Sequence, residues 1–225
     1  MASTFFGLTI AYTGLQAAST SVNVTAHNIA NINTTGYSRQ TVTVKANDAI
    51  RTHARYGTLG AGVDVTEINQ LRDAYYDDKY RSNEAYYGEY TNKYNYMTQI
   101  EDYLNEFSLD GYCTEYKDFF EAVNQLTLTP GDETSKNALI NKASSLAEYF
   151  NTLYTNLQNV QKDINSEIKS QVDDINTIAQ NIAALNKQIN HIEACYGNAN
   201  DLRDQRNVLV DNLSKIVNTS VTTQI

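Results

Sequence analysis

The sequence predicts a mainly α-helical, elongated fold: a helical bundle or coiled-coil rod with a long central helix and a small β-hairpin. Three observations support this prediction. The 225 residues include one proline and ten glycines, so few residues interrupt helices. Apolar side chains recur at alternating spacings of three and four, which is typical of coiled-coil helices. The first 38 residues contain no Lys, Arg, Asp or Glu, although exposed helices normally carry charge on their outer face.

The first predicted helix runs from about Ser3 to Ala30. Its larger side chains follow one seam, and the absence of charge predicts that other protein surrounds it as an assembly element. Core packing within this chain is the alternative interpretation. We expect the helix to be frayed in the isolated subunit, because Gly7 and Gly14 weaken it and no mate is evident nearby. The candidate assembly residues are Phe5, Leu8, Tyr12, Leu15, Val22, Ala26 and Ile29.

A run rich in Asn, Thr and Gly, from Asn28 to Tyr37, predicts the end of this helix and a turn. We interpret the run as a joint between an inner helix and the outer part of the chain. A plain helix cap and loop is the alternative, and the two are compatible. Gly36 would supply backbone freedom and Tyr37 an anchor. The candidate joint residues are Asn28, Asn31, Thr35, Gly36, Tyr37, Arg39 and Gln40.

Two segments with alternating apolar and polar residues, 40–44 and 62–68, predict a β-hairpin with a long, glycine-containing loop. From about Asn69 the period becomes helical, and eleven of the seventeen tyrosines lie between Tyr75 and Tyr116. We expect most of these tyrosines to pack within a bundle with their hydroxyls at its wet rim. Contact with other subunits is the alternative.

The longest predicted element is a continuous helix from Asp132, its predicted N-cap, to about Glu193. Its apolar side chains keep the alternating three and four spacing, except for one 4-4 step that ends at Ile168. A final helix follows, and residues 217–225 are strand-like without a pairing partner. We therefore expect the chain to continue in the native gene product.

These elements divide the chain into three predicted regions. Residues 1–35 form the N-terminal assembly helix, the inner-tube segment. Residues 36–68 form the joint and β-hairpin connector, and residues 69–225 form the helical rod domain.

Composition and spacing exclude several function classes. The net charge of −9 and the pI of about 4.8 argue against nucleic-acid and anionic membrane partners. Cys113 and Cys195 form no metal or redox motif, and we expect two buried or half-buried thiols, with a disulfide as the weaker alternative. His27, His53 and His191 have no mutual spacing suited to a metal or a general base. We expect no cofactor, no metal, no small-molecule substrate and no enzymatic activity.

The segment from Asn28 to Tyr37 resembles the N-terminal signature of the bacterial flagellar rod, hook and hook-associated axial proteins. Its continuation, Ser38-Arg39-Gln40, is similar to the hook-associated protein 1 branch of that family. A second segment, Asn200 to Asn207, resembles the Asn-Asp-Leu-Leu-Asp-Gln-Arg-Asp segment of the same branch. It departs from that pattern at Arg203 and Asn207. The resemblance covers essentially the whole chain.

This resemblance implies a structural subunit of the hook–filament junction that assembles side by side into a ring of identical copies. It implies export by the flagellar type III system, with a cytoplasmic stage before export and an extracellular place in the flagellum afterwards. The implied partners are the hook protein, a second hook-associated junction protein and a flagellar export chaperone. It further implies an outer β-rich domain and a C-terminal helix that pairs with the first helix to build the inner tube.

Two alternatives stay open at this point. Within the family, the chain could be a hook or rod subunit, although Ser38-Arg39-Gln40 and the segment from Asp201 to Arg206 count against this. Outside the family, a secreted coiled-coil adhesin or effector could bind host surfaces through the tyrosine-rich rod.

Overall fold

A computed structural model describes residues 5–51, 57–104, 111–195 and 197–222. The fold is mainly α-helical with a small hairpin region, which confirms the predicted fold class. Contacts group the chain into two compact units, Met1–Ala85 with Asn176–Ile225, and Tyr86–Ile175. The division into regions at residues 35 and 68 stays a prediction. The helices are α1 (Phe6–Ala30), α2 (Ala74–Leu104), α3 (Tyr112–Leu128), α4 (Glu133–Glu193) and α5 (Asn200–Ser214).

The described part of the first unit contains four short strands: β1 (Gln40–Ala46), β2 (Ile50–Arg51), β3 (Thr58–Leu59) and β4 (Val63–Gln70). β1 pairs antiparallel with β4, with a bulge between Thr43 and Val44, and this confirms the predicted hairpin. β2 and β3 form a second short ladder within the connecting loop. The sequence analysis did not predict that ladder, because each of its strands has only two residues.

α1 packs one face against the β1–β4 hairpin. Ala17 and Val24 on this face are buried, and such small side chains let the helix approach the sheet closely. α1 lies close to Gly62, whose φ is 96° and where a Cβ atom would lie 2.3 Å from Thr13 Oγ1. A glycine is therefore needed just before β4, both for its backbone conformation and for space.

The predicted assembly seam lies on the opposite face of α1. At about 100° per residue, the seam is centred roughly 180° away from Ala17 and Val24. Its six larger side chains are 64–70% exposed, and Ala26 is exposed as well. The alternative interpretation, core packing within this chain, therefore does not hold for the described residues. The six side chains are those of Phe5, Leu8, Tyr12, Leu15, Val22 and Ile29.

α2 begins later than predicted. Asn69 and Gln70 still pair with β1, so the predicted helical period from Asn69 is wrong. The helix begins at Ala74, where Asp73 Oδ1 accepts a hydrogen bond of 3.0 Å from the Tyr75 backbone N–H. Pairing in the hairpin overrides the local pattern at Asn69 and Gln70. The β1–β4 ladder gives hydrogen-bond partners to backbone N–H and C=O groups that would otherwise need partners in a longer helix.

Eight of the nine tyrosines of α2 are exposed and Tyr96 is half-buried, so the expectation that most of these tyrosines pack within a bundle is wrong. Seven of them are 48–71% exposed. Smaller residues such as Gly88 and Thr91 are half-buried on the same helix, so the inward face of α2 carries little aromatic area. The seven are Tyr75, Tyr76, Tyr80, Tyr86, Tyr87, Tyr90 and Tyr94.

Asp132 caps α4 as predicted. Its carboxylate accepts hydrogen bonds from the Ser135 hydroxyl at 3.0 Å and from the backbone N–H groups of Thr134 and Ser135 at 3.2 Å. These bonds, that of the Ser135 hydroxyl first, lower the pKa of Asp132. α4 then runs without a break to Glu193, which confirms the long predicted helix.

Two further expectations are wrong. Residues 217–222 form no strand, because no strand edge pairs with them among the described residues, while 223–225 lie outside those residues. Cys113 and Cys195 are exposed instead of buried, since each lies at a helix end, one at the start of α3 and one just beyond α4. His53 also lies outside the described residues.

The fold makes a prediction about two isoleucines of α4. Ile189 is 3% exposed and Ile168 is 53% exposed. We expect Ile189→Ala to lower the free energy of unfolding by about 2–5 kcal/mol, because it leaves a cavity, and Ile168→Ala by less than about 1 kcal/mol. Urea unfolding followed by circular dichroism measures both losses. Equal losses would contradict the described packing of α4.

Candidate functional site

The predicted joint is organised around the side chain of Asn28. Its Nδ2 donates a hydrogen bond of 2.9 Å to the Gln40 carbonyl oxygen. Its Oδ1 accepts hydrogen bonds from the Gln40 backbone N–H at 2.9 Å and from the Tyr37 hydroxyl at 2.7 Å. An asparagine suits this position because its amide offers both donors and an acceptor. One side chain thereby satisfies both backbone groups of the residue that begins β1.

The chain between Asn28 and Gln40 is a turn held by its own side chains. Asn31 follows the last residue of α1, and its backbone N–H and Nδ2 donate to the His27 carbonyl oxygen at 3.1 and 3.0 Å. Asn31 Oδ1 accepts a hydrogen bond of 3.1 Å from the Thr34 hydroxyl. The Tyr37 ring packs edge-on against the His27 ring, with centroids 5.5 Å apart. The end of α1 is therefore tied to the turn on several sides.

Gly36 brings this turn against α5. Its φ of 79° lies in the left-handed region, which glycine adopts at little cost. A Cβ atom at this position would lie 2.0 Å from Val208 Cγ2, well inside van der Waals contact. Both the backbone conformation and the contact with α5 therefore require glycine.

Two carboxylates of α5 hold the joint from the other side. Asp204 Oδ2 accepts a hydrogen bond of 2.9 Å from the Ser38 backbone N–H. Asp201 Oδ1 accepts one of 2.7 Å from Gln40 Nε2 and lies 3.5 Å from His27 Nε2. Asp201 and Asp204 share a face of α5, because residues three apart on a helix are neighbours. Asp204 and Gln40 are buried, whereas the Asp201 side chain is 60% exposed, so the contacts of Asp201 stay open to water.

The environment of the joint also affects Tyr37. Burial raises the pKa of the Tyr37 hydroxyl, and the nearby charges of Asp201 and Asp204 raise it further. The neutral hydroxyl is the form that donates to Asn28 Oδ1. Burial and hydrogen bonding therefore favour the same protonation state.

Arg72 connects the joint to the start of α2. Its Nε bonds to the Asp77 carboxylate at 2.5 Å, and its Nη1 donates to the Ser38 hydroxyl at 3.2 Å. Nη1 also lies 3.8 Å from Asp204 Oδ1. One guanidinium therefore contacts the turn, α2 and α5.

The structure brings together five of the seven predicted joint residues. Thr35 and Arg39 have exposed side chains, so they contribute less than predicted. Arg39 takes part through its carbonyl oxygen, which accepts a hydrogen bond of 2.8 Å from the Leu71 backbone N–H. The five are Asn28, Asn31, Gly36, Tyr37 and Gln40.

Sequence analysis missed the residues that hold the joint from other elements. Asp201 and Asp204 could have been found, because they lie one helical turn apart in the second segment that the sequence analysis quoted. The sequence around Arg72 and Val208 contains no pattern that indicates their contacts with the joint. Their roles depend on contacts with residues far away in the sequence.

Arg203, a departure from the family pattern, bonds to the end of α4. Its Nε donates a hydrogen bond of 2.6 Å to Glu193 Oε1. This bond is the main cause that lowers the pKa of Glu193. The pair therefore ties the start of α5 to the last residue of α4.

The described residues offer neither a metal site nor a membrane span. They contain no group of three or more His, Cys, Asp or Glu side chains that could hold a metal ion. None of the described helices is long and apolar enough to cross a bilayer.

Gly36 can be tested against a second glycine. We expect Gly36→Ala to lower the free energy of unfolding by about 2–4 kcal/mol, because it combines left-handed strain with a clash against Val208. Gly14→Ala is the control, since a Cβ atom there meets nothing within 4 Å and alanine favours helix by about 1 kcal/mol. Urea unfolding distinguishes the two. If both substitutions changed the free energy of unfolding by the same amount and in the same direction, the contact of Gly36 with Val208 would be contradicted.

The Arg203–Glu193 pair predicts a pH dependence. Because the pKa of folded Glu193 lies below its ordinary value of 4.5, the pair stabilises the fold above that pH. The stabilisation is lost as the pH falls through the folded pKa. We therefore expect Arg203→Met to lower the free energy of unfolding more at pH 7 than near pH 3.

Urea unfolding at the two pH values measures this effect. Lys117→Met is the matched control, because Lys117 and Glu121 are both strongly exposed and 3.5 Å apart, and such pairs contribute little. A loss of stability in Arg203→Met that is the same at both pH values would exclude the pair as its cause.

Two family models match the chain. The model described as the helical domain of flagellar hook-associated protein FlgK matches residues 97–225. The model described as flagella basal body rod protein matches residues 8–37, which include most of α1 and most of the joint. Neither description is that of an enzyme.

Curated relatives match almost the whole chain. Flagellar hook-associated protein 1 of Bacillus subtilis (strain 168) is 34% identical over 226 residues, which are 98% of this chain and 45% of the relative. The proteins of the same name from Escherichia coli (strain K12) and Salmonella typhimurium (strain LT2) are 33% and 34% identical over 95% of this chain. Those matches cover 39% and 38% of the relatives, so the chain spans less than half of their length. Because the helical-domain model matches more than half of the chain, and relatives of that name match nearly all of it, the chain belongs to the flagellar hook-associated protein FlgK family.

Proposed function

We propose that the chain is part of a structural subunit that joins the flagellar hook to the filament through side-by-side assembly of identical copies. The exposed seam of α1 is the observation that carries this proposal. Membership of the hook-associated family supports the placement in the flagellum. The proposed route, with a cytoplasmic stage, an export chaperone and the flagellar type III system, rests on the family alone.

The seam of α1 has the properties of a surface that another protein covers. Its six larger side chains form an apolar stripe that is interrupted at Ser19, and soluble monomers rarely expose large apolar patches unless they bind something. The first 38 residues contain no Lys, Arg, Asp or Glu, so the helix has no charged side chain for water to solvate. The opposite face already packs against the hairpin, so a partner on the seam would enclose the helix on two sides.

Five hydroxyl groups of α1 do not oppose such enclosure. The hydroxyls of five Ser and Thr side chains donate to backbone carbonyl oxygens three or four residues earlier, at 2.8–3.3 Å. Because these donors are satisfied within the helix, covering them costs no unpaired hydrogen bond. The five are Thr9, Thr13, Thr20, Ser21 and Thr25.

The geometry favours another helix as the mate of this seam. Apolar side chains at alternating three and four spacings interlock with a helix of the same spacing. We propose that the mate lies in the remainder of the full-length protein, with further contacts to neighbouring copies. The joint then orients α1 relative to the hairpin and α5, which share its unit. The hook protein and a second hook-associated junction protein are the proposed neighbours along the axis.

Placing a charge on the seam tests this proposal. We expect Leu15→Asp to block filament attachment, because it buries a carboxylate in the assembly, while it lowers the thermal midpoint of the isolated chain by less than about 2 °C. Motility and electron microscopy of cells with the full-length variant measure attachment. Leu15→Met is the control and should retain attachment, since it keeps an apolar side chain of similar volume.

Unchanged motility of Leu15→Asp would contradict a covered seam and would be the result expected of a secreted adhesin. Deletion of the gene separates the proposal from a hook or rod subunit. The proposed junction role predicts cells that build hooks but shed their filaments, whereas loss of a hook or rod subunit would leave no complete hook.

A further inference from the structure

In the second unit, Tyr86–Ile175, one face of α2 exposes large side chains over three turns. Three tyrosines and a methionine recur there at spacings of three, four and three, and they are 65–71% exposed. At about 100° per residue, the four side chains lie within about 80° of one another round the helix. This tyrosine face consists of Tyr87, Tyr90, Tyr94 and Met97.

The tyrosine face points away from α4, the helix on which α2 packs in this unit. Tyr96 is half-buried, and its hydroxyl donates a hydrogen bond to the Glu167 carboxylate of α4. The four side chains of the tyrosine face lie about 100–180° round α2 from Tyr96. The contact of α2 with α4 therefore leaves the tyrosine face open.

α4 carries a second exposed apolar face, because α3 is much shorter than α4. α3 has 17 residues and α4 has 61, and the contacts between them include Asp118 with Lys142 and the Tyr112 ring with Phe150. Beyond Phe150, four large side chains of α4 in this unit are 40–63% exposed. Their spacings of 3, 11 and 4 keep them within about 60° of one another round the helix. This α4 face consists of Tyr154, Leu157, Ile168 and Val172.

The two faces do not meet within one chain. Tyr149 bonds to the Leu104 carbonyl oxygen and Glu167 bonds to Tyr96, so these two residues of α4 point towards α2. The α4 face lies about 80–140° round the helix from them, and is turned away from α2. Both faces nevertheless occupy the same stretch of the antiparallel α2–α4 pair, because the Tyr96–Glu167 contact lies beside each of them.

The side chains of the two faces suit each other. Tyr and Met are enriched in protein interfaces, and a tyrosine ring offers apolar area while its hydroxyl stays hydrated at the rim. The α4 face offers the branched aliphatic side chains of Leu157, Ile168 and Val172 for these rings to pack against. Rows of side chains three and four residues apart are also the ridges that interlock when two helices pack.

The area of the tyrosine face limits the strength of such a contact. A buried aromatic side chain covers about 150–250 Å², so a tyrosine that is two-thirds exposed offers about 100–170 Å². The whole face then offers about 400–650 Å², which is less than the roughly 800 Å² per partner of a stable complex. The contact is therefore weak by itself and forms where another surface, such as the seam of α1, already holds the partners together.

We propose that the tyrosine face of one copy of this chain packs against the α4 face of the next copy. This inference rests on the proposed side-by-side assembly and names a surface for it that is separate from the seam of α1. Because the two faces differ, the contact is heterologous, and each copy uses one face towards each neighbour. Since both faces occupy the same stretch of the α2–α4 pair, neighbouring copies need no shift along the helices to bring them together.

Cross-linking in assembled flagella tests this contact. The full-length protein carries Tyr90→Cys together with Ile168→Cys, and serine replaces the exposed native cysteines, Cys113 and Cys195. A short cross-linker between two thiols can bridge packed helices, whose axes lie about 8–10 Å apart. We expect a ladder of dimers and larger oligomers on denaturing gels, because each copy offers both faces. Either substitution alone should give no ladder.

Tyr90→Cys together with Ser166→Cys is the matched control. Ser166 is exposed and lies about 160° round α4 from Ile168, so its thiol would point away from the neighbouring tyrosine face. We expect the ladder to be lost in this control. A ladder of equal yield in the control would overturn the proposal. Dimers from Tyr90→Cys alone would also overturn it, because they would show that two α2 helices pair with each other.

The same experiment separates this contact from the proposed junction role. Cells that carry filaments but give no ladder would overturn the contact and leave the junction role intact. Failure of the junction role itself would appear as a deletion strain that keeps its filaments. If cells with the first pair of substitutions carry no filaments, Tyr87→Cys together with Val172→Cys joins the same two faces and gives the same test.

Discussion

The hydrogen bonds between Asn28 and both backbone groups of Gln40 are the constraint on which the rest of the first unit depends. They place the end of α1 directly beside the start of β1, and so determine where the hairpin lies relative to the helix. The turn between them then presents Gly36 and Ser38 to α5, where Val208 and Asp204 contact them. A single amide thus sets the geometry in which four elements meet.

The two opposite faces of α1 have different surroundings. Ala17 and Val24 are small and buried against the hairpin, whereas the seam around Leu15 and Val22 is large, apolar and exposed. Five Ser and Thr hydroxyls of α1 bond to the helix itself, so these groups stay satisfied when the helix is covered. These properties explain how a segment without formal charge can belong to an otherwise acidic chain.

Charge is instead concentrated where α2 and α5 approach the joint. Arg72 reaches Asp77, Ser38 and Asp204, and Arg81 reaches Asp211, so the guanidinium groups connect elements that are distant in sequence. Buried charges of this kind are costly unless they are paired, and they favour one arrangement of the elements over others.

Features that depend on neighbours along the chain could be predicted from the sequence. The end of α1 at the Asn-rich run, the alternation of the hairpin, the cap at Asp132 and the length of α4 all follow from local hydrogen bonding and periodicity. Contacts between distant segments place Asn69 in a strand, leave most tyrosines of α2 exposed, and bond Asp204 to Ser38 across 166 positions. The reason is physical: periodicity shows that a helix has distinct faces, but which face is covered depends on elements far away in the sequence.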